Sequence, residues 1–142
     1  MPRERYGFSE DEWQSLKDLL RNILVERVRS DNSTVAYSEL TQIAVSRLRS
    51  QPALLAKTGD ILTPDSHALA AMLGEISTES CNASPDRGML SVIVVHKGGD
   101  LRPGKGFFDC AETLGRLSHA ASEAEKEILW VRELRLVQQS YA

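Results

Sequence analysis

The chain has 142 residues, of which 42% are hydrophobic and 26% charged, and its formal net charge is −3. These values predict a single globular domain spanning residues 1–142, and they argue against both a disordered chain and a basic nucleic-acid coat protein. The polar N-terminal segment and the lack of a long apolar run predict a cytoplasmic protein without a signal peptide or membrane span. Cys81 and Cys110 lie outside any CxxC spacing, so we expect reduced thiols, no metal site and no cofactor.

The first helix has a clear start signal. Ser9 and Glu12 have capping-box spacing, and Phe8 precedes the cap, where it can pack against Trp13. The apolar spacing that follows predicts a helix over residues 8–29. Its inward positions are Trp13, Leu16, Leu20, Ile23, Leu24 and Val28.

A short strand and two further helices are expected next. Residues 34–37 favour a strand, and Ser38 can cap the second helix. Residues 50–65 contain proline and glycine and predict an irregular segment, with a short strand at 60–62. The third helix should begin at residues 64–66. The apolar stripes of the two helices are Leu40, Ile43, Ala44 and Leu48, then Leu69, Met72, Leu73 and Ile76.

The clearest strand follows a loop. Residues 77–88 are predicted to form that loop. Residues 89–95 are predicted to form a strand that is apolar on both faces. A strand of this kind is typically central and covered on both sides. Its candidate partners are residues 35–37 and 106–108.

Two more helices complete the chain. A short helix is expected from Phe107 to Leu114, ended by Gly115. Ser122 and Glu125 form a second capping box, which opens a last helix over about residues 122–140. Its predicted inward face consists of Ile128, Val131, Leu134 and Val137.

This order predicts an α+β fold that is mostly helical, and it resembles a winged helix. The winged-helix-like core would span residues 34–110, between the flanking helices 8–29 and 122–140. In that fold the third helix usually enters the major groove, and the loop after it is the wing. The third helix here has no Arg or Lys from residue 66 to 80, which argues against sequence-specific base readout.

Two motif resemblances add to this reading. "VAYSELTQIA" resembles the Y-x-x-L-A entry of the winged-helix domain of alkyltransferase-like DNA-binding proteins, over residues 34–97. Where those proteins have P-C-H-R-V, this chain has "IVVHK" at 93–97, so the resemblance implies no alkyl-acceptor chemistry. Separately, "LGEIS", "GMLSVIVVHK" and "RPGKGFFDCAETLG" are similar to a group of uncharacterised bacterial and phage proteins carrying LS-x-x-V-V, P-G-x-G-F-F and L-G. That similarity implies a small bacterial cytosolic domain.

The loop after the strand is the main candidate site. Backbone freed by glycines beside several cations suits a phosphate group. The alternatives are a solvated turn, the phosphate backbone of DNA or RNA, and a small phosphorylated ligand. The candidate phosphate-binding residues are Lys97, Arg102, Gly104, Lys105 and Gly106 in the loop, with Arg47 and Arg49 from the second helix.

Catalytic interpretations rest on a few side chains. His96 with Asp109 or Glu112 could act as an acid–base pair, against a structural or solvent-facing histidine. Glu75 and Glu79 share a helical face and could join a metal-dependent nuclease cluster, against a solvated face. The other members of that cluster would be Glu39 and Asp109. Ser91 and Cys110 are expected in the interior.

The last helix offers a protein interface. Trp130 lies about 100° away from the predicted stripe and could anchor a homodimer or a protein partner. Three functions therefore stay open: a nucleic-acid-binding module, an interaction module and a small enzyme using His96. Outward-pointing loop cations would favour the first, an exposed apolar patch the second, and a pocket with His96 in its wall the third.

Overall fold

The computed structural model describes residues 7–30, 34–58, 63, 66–96 and 103–141. These residues form a mostly helical α+β structure with one small parallel sheet. In chain order the elements are α1 (Glu10–Val28), β1 (Val35–Ala36), α2 (Tyr37–Arg47), a 3-10 turn (Leu48–Ser50), α3 (Pro52–Thr58), α4 (His67–Ala83), two 3-10 turns (Pro85–Arg87 and Leu90–Ile93), β2 (Val94–Val95), α5 (Lys105–Thr113) and α6 (Glu123–Ser140).

Helix α1 begins as its sequence predicts. The Ser9 hydroxyl accepts from the Glu12 N–H at 3.2 Å, and the Ser9 N–H donates to Glu12 Oε1 at 2.8 Å. The rings of Phe8 and Trp13 meet edge to face at 6.3 Å, and both side chains are buried. The capping box and the apolar staple therefore fix the start of this helix together.

The sheet joins residues 35–36 with residues 94–95, which is one of the two pairings that the sequence suggests. Val35 lies opposite Val94, and Ala36 opposite Val95, in parallel register. The expectation of one strand over 89–95 is wrong, because Leu90–Ile93 forms a 3-10 turn and only Val94–Val95 is extended. The alternative partner at 106–108 is also wrong, since those residues lie in α5.

Buried hydrogen bonds explain the shortened strand. The Ser91 N–H donates to the Ser77 hydroxyl at 3.0 Å, and the Val92 N–H donates to the Met89 carbonyl at 2.9 Å. The hydroxyls of Ser77 and Ser91 lie 2.6 Å apart. Since this backbone is satisfied locally and by α4, it needs no neighbouring strand. Ser91 is buried as expected.

The middle of the chain is more helical than its sequence suggests. Helix α2 starts at Tyr37, so Ser38 is not its cap. The Ala36 N–H instead donates to the Glu39 carboxylate at 3.3 Å. Pro52–Thr58 forms α3, with proline at the first position, where its missing N–H costs nothing. The predicted strand at 60–62 lies outside the described residues.

Helix α4 also runs further than expected. Ser66 caps it by accepting from the Leu69 N–H at 3.3 Å, and it continues to Ala83 through much of the predicted loop. Two polar residues of this extension, Ser77 and Ser80, face the interior. The Ser80 hydroxyl donates to the Gly88 carbonyl at 3.0 Å and lies 2.9 Å from the Tyr141 hydroxyl.

Helix α6 has the expected start but not the expected inward face. Its capping box is present, with the Ser122 hydroxyl accepting from the Glu125 N–H at 3.2 Å. Ile128 is 68% exposed and Val131 is 40% exposed, so their predicted inward placement is wrong. The buried positions are Leu129, Glu133 and Val137.

One cluster of buried apolar side chains draws on all six helices and on the segment 89–94. The segment 89–95 is buried throughout, as expected for a central element. No helix in the described part of the chain is both long and apolar enough to cross a membrane.

Candidate functional site

Tyr37 anchors both ends of the predicted phosphate loop. Its ring stacks on the His96 ring, with centroids 4.7 Å apart, and its hydroxyl accepts from the Gly104 N–H at 3.2 Å. Burial raises the pKa of Tyr37 and outweighs the opposing effect of the Gly104 hydrogen bond. The phenol therefore stays protonated at neutral pH. Lys97 and Arg102 lie outside the described residues.

A side chain at position 104 would require the His96 or Tyr37 ring to move. A Cβ there would lie 2.9 Å from His96 Nε2 and 3.0 Å from the Tyr37 hydroxyl oxygen. The requirement for glycine thus comes from the close approach of the two loop ends, which Tyr37 holds together.

The loop leads directly into the N-terminus of α5. Gly104 is the cap residue, and Gly106 is exposed in the first turn. The Lys105 side chain is 89% exposed, and its Nζ lies 3.0 Å from Asp109 Oδ2. An exposed pair of this kind is weak, so Lys105 remains available to an anion at the positive end of the helix.

The two arginines from the second helix region lie apart from Lys105. Arg47 forms an ion pair with Glu26 across to α1. Arg49 lines a groove of about 380 Å³ together with side chains of α2. Lys105 lines a different groove, of about 330 Å³, between α5 and the start of α6. The described cations of the predicted phosphate set therefore do not share one groove.

The candidate catalytic side chains have other partners. Asp109 pairs with Lys105, His96 stacks on Tyr37, and Glu112 Oε1 lies 3.5 Å from His119 Nδ1. The enclosed space beside Tyr37 and Ser91 measures about 40 Å³, which suits one or two water molecules rather than an organic substrate.

Glu75 and Glu79 do share a face of α4, but they lie against a buried cation. Lys17 Nζ is 3.1 Å from Glu75 Oε1 and 2.6 Å from Glu79 Oε2. Burial would lower the pKa of Lys17, but its hydrogen bonds to both carboxylates outweigh that effect and raise it. Trp13 Nε1 also donates to Glu75 at 3.2 Å, and Arg21 pairs with Glu79.

The nuclease cluster is not assembled. Glu39 pairs with Arg27 and Asp109 with Lys105, so neither joins the two glutamates of α4. Among the residues that the structure describes, no three His, Cys, Asp or Glu side chains converge as metal ligands.

Both cysteines are free thiols on the sides of their helices that face the core. Cys81 is buried and Cys110 is half-buried. Burial raises the pKa of each thiol, and for Cys110 it outweighs the opposing hydrogen bond of Thr78. A raised pKa reduces the thiolate fraction at neutral pH, which suits packing rather than nucleophilic chemistry.

The outward face of α6 is the main apolar surface. Ile128 and Val131 are the large hydrophobic side chains left exposed in the described part of the chain. They lie on an open stretch of the helix surface, together with Ala124, Glu127, Arg132 and Arg135. We refer to this surface, Ala124 to Gln139 on the outer side of α6, as the α6 face.

Trp130 points away from the centre of this face. The side chain is half-buried and packs against the hydrophobic core. Its indole N–H is enclosed and makes no hydrogen bond to any described residue. The apolar character of the α6 face therefore comes from Ile128 and Val131, which the sequence pattern had assigned to the core.

The opposite side of α6 is fixed by a buried ion pair that sequence analysis missed. Glu133 is fully buried, and Arg116 Nη1 donates to both of its carboxylate oxygens, at 2.8 and 2.9 Å. The Met89 N–H donates to the same carboxylate at 3.2 Å. Glu133 lies four residues after Leu129 and four before Val137, so all three share one face of the helix. This spacing is the one sequence signal that Glu133 is buried.

No family model, curated protein or solved structure matches this chain.

Proposed function

We propose that this chain is a cytoplasmic protein-interaction module that binds a protein partner through the α6 face. The observation that carries the proposal is the exposure of Ile128 and Val131 at the centre of that face. Burying an aliphatic side chain of this size against a partner contributes about 1.5–3 kcal/mol. A cluster of such side chains with a charged rim is the usual composition of a docking surface.

The α6 face is held ready for binding. The ion pair between Glu133 and Arg116 locks the inner side of the helix, and Leu129 and Val137 pack into the core beside it. Because the helix cannot rotate without breaking these contacts, Ile128 stays on the surface. A partner therefore meets a preformed site and loses little free energy in ordering it.

A photo-crosslinking amino acid at position 128 tests this role in the cells that naturally produce the protein. We expect a discrete crosslinked product, identified by mass spectrometry, from Ile128 but not from Asn22, an exposed position on α1. Changing Arg135 to Glu in the same chain should weaken that product. Equal yields at both positions, or none at position 128, would contradict the proposal.

A second function is favoured by the anchored loop. Tyr37 holds His96 and Gly104 together, and the chain then enters α5 with Lys105 facing solvent. The order β1, α2, α3, α4, β2 and loop has one helix, α3, more than the winged-helix order. In this proposal residues 34–110 form a winged-helix-like core, and the loop 97–106 is its wing. In this proposal the loop contacts the phosphate backbone of DNA or RNA without reading its sequence.

Fluorescence anisotropy of labelled duplex and single-stranded oligonucleotides, at low and near-physiological salt, tests the loop. Contacts from Lys97, Arg102 and Lys105 predict a log–log salt slope of about −2.7 on duplex DNA. The double variant Arg102→Glu with Lys105→Glu should lose binding. The double variant Lys57→Glu with Arg87→Glu changes the net charge equally elsewhere and should retain most of it. No binding by the native protein at low salt would exclude this function.

A further inference from the structure

We infer that the partner of the α6 face is the α6 face of a second copy of this chain, packed antiparallel across a two-fold axis near Val131. This inference rests on the proposed interaction role of α6 and names its partner. It is carried by the order of charges along the helix and by the spacing of its outward side chains.

The charges on the α6 face change sign along the helix. Its first turn carries Glu123 and Glu125, and Glu127 follows on the α6 face, whereas Arg132 and Arg135 come later. Glu127 and Arg135 lie eight residues apart, which is about 12 Å along a helix. Among the described residues, neither of these two side chains pairs with an opposite charge.

Only one of the two possible helix orientations brings Glu127 and Arg135 of different copies together. A parallel pair would place Glu127 beside Glu127 of the second copy and Arg135 beside its counterpart, so like charges would repel. An antiparallel pair centred near Val131 places Glu127 beside Arg135 of the second copy, and the two-fold axis forms the same contact twice. The opposed helix dipoles also favour this arrangement.

The outward side chains have the spacing of a helix-pair seam. Ala124, Ile128, Val131 and Arg135 are separated by four, three and four residues, as in a heptad repeat. With the axis at Val131, the two Val131 side chains pack against each other, and Ile128 of each copy lies about one turn away from the axis. Ala124 then lies across from Gln138 of the second copy.

The size of the face predicts a reversible dimer. The 18 residues of α6 span about 27 Å, and a single pair of helices this short buries less than the roughly 1,200 Å² of a stable interface. We therefore expect a dissociation constant in the micromolar range, with monomer and dimer in exchange.

Sedimentation velocity of the full chain over about 1–300 μM provides the test. The native protein should shift from monomer to dimer across this range. Glu127→Arg and Arg135→Glu should each raise the dissociation constant about tenfold or more, because each creates like-charge contacts. Ile128→Asp should abolish the dimer, and Asn22→Arg on α1 should leave it unchanged.

Variants that restore the contact between opposite charges at positions 127 and 135 distinguish the antiparallel dimer from other dimers. An equimolar mixture of the Glu127→Arg and Arg135→Glu chains should form a heterodimer about as readily as the native protein pairs with itself. The chain carrying both changes should also dimerise. Failure of both to associate while the native protein dimerises would overturn the antiparallel arrangement.

The outcomes also separate this inference from the interaction role itself. A monomeric native protein throughout the range, with a discrete crosslink from position 128 to a different protein, would overturn self-pairing and leave the interaction role standing. A monomer without any crosslink at position 128 would overturn both.

Discussion

Replacing Arg116 with alanine is expected to lower the free energy of unfolding by about 3–5 kcal/mol. Glu133 is fully buried, and Arg116 is the cation that donates to both of its carboxylate oxygens. Without Arg116 the carboxylate would stay in the interior with the Met89 N–H and the half-exposed Arg132, whose Nε lies 3.6 Å away and makes no hydrogen bond to it. The cost is large because a buried charge that loses its partner does not regain its hydration.

Urea unfolding followed by circular dichroism measures this loss. Arg132→Ala is the matched control, because that side chain is 53% exposed and its Nε lies 3.6 Å from the same carboxylate. We expect it to cost no more than about 1 kcal/mol, as exposed ion pairs do. Adding Glu133→Gln to the Arg116→Ala chain should recover part of the loss, since a neutral amide needs no counter-ion. A loss below 1 kcal/mol in the single variant would contradict this account.

Sequence periodicity predicted wrongly which face of α6 turns toward the core. The ion pair between Glu133 and Arg116 explains why. Two stripes compete on this helix: one with Ile128 and Val131, the other with Leu129 and Glu133. Hydrophobicity favours the first stripe, because a buried glutamate is unfavourable unless a partner satisfies it. That partner is Arg116, in the turn before the helix, and its position depends on tertiary packing.

Features set by neighbouring residues were predictable. The capping boxes at Ser9 and Ser122 and the apolar stripe of α4 follow from local spacing, and the structure confirms them. Local signals sufficed for these features because the hydrogen bonds or burial patterns involved lie within a few residues. The pairing of β1 with β2 joins residues far apart in the chain, and the sequence left it as one of two candidate pairings.

Polar residues in the interior were not predictable. Ser77 and Ser80 read as loop residues, yet they lie buried in α4 and satisfy groups from the segment 88–91. Small hydroxyl side chains fit a helix interior when such partners are near, and sequence does not reveal those partners. For the candidate sites, the phosphate-binding role of the loop and Lys105 stays a prediction from the sequence, whereas the exposure of Ile128 required the structure.

Gly88→Ala is the second change with a large expected effect, about 2–5 kcal/mol. Gly88 has φ +77°, which an L-residue rarely adopts. A Cβ at this position would also lie 2.9 Å from Leu136 Cβ and 3.2 Å from both the Glu133 carbonyl oxygen and Val137 Cγ2. The alanine would therefore push α6 away from the segment that leads into the buried 3-10 turn.

Gly115→Ala separates backbone strain from this contact. Gly115 has φ +75°, nearly the same as Gly88, but a Cβ there would meet nothing within 4 Å. We expect it to cost about 1–2 kcal/mol from the backbone alone. Thermal and urea unfolding of both variants would give the difference, which measures how tightly α6 packs on Gly88. Equal losses would mean that α6 can move outward at little cost, and the α6 face would then be an adaptable surface instead of a rigid one.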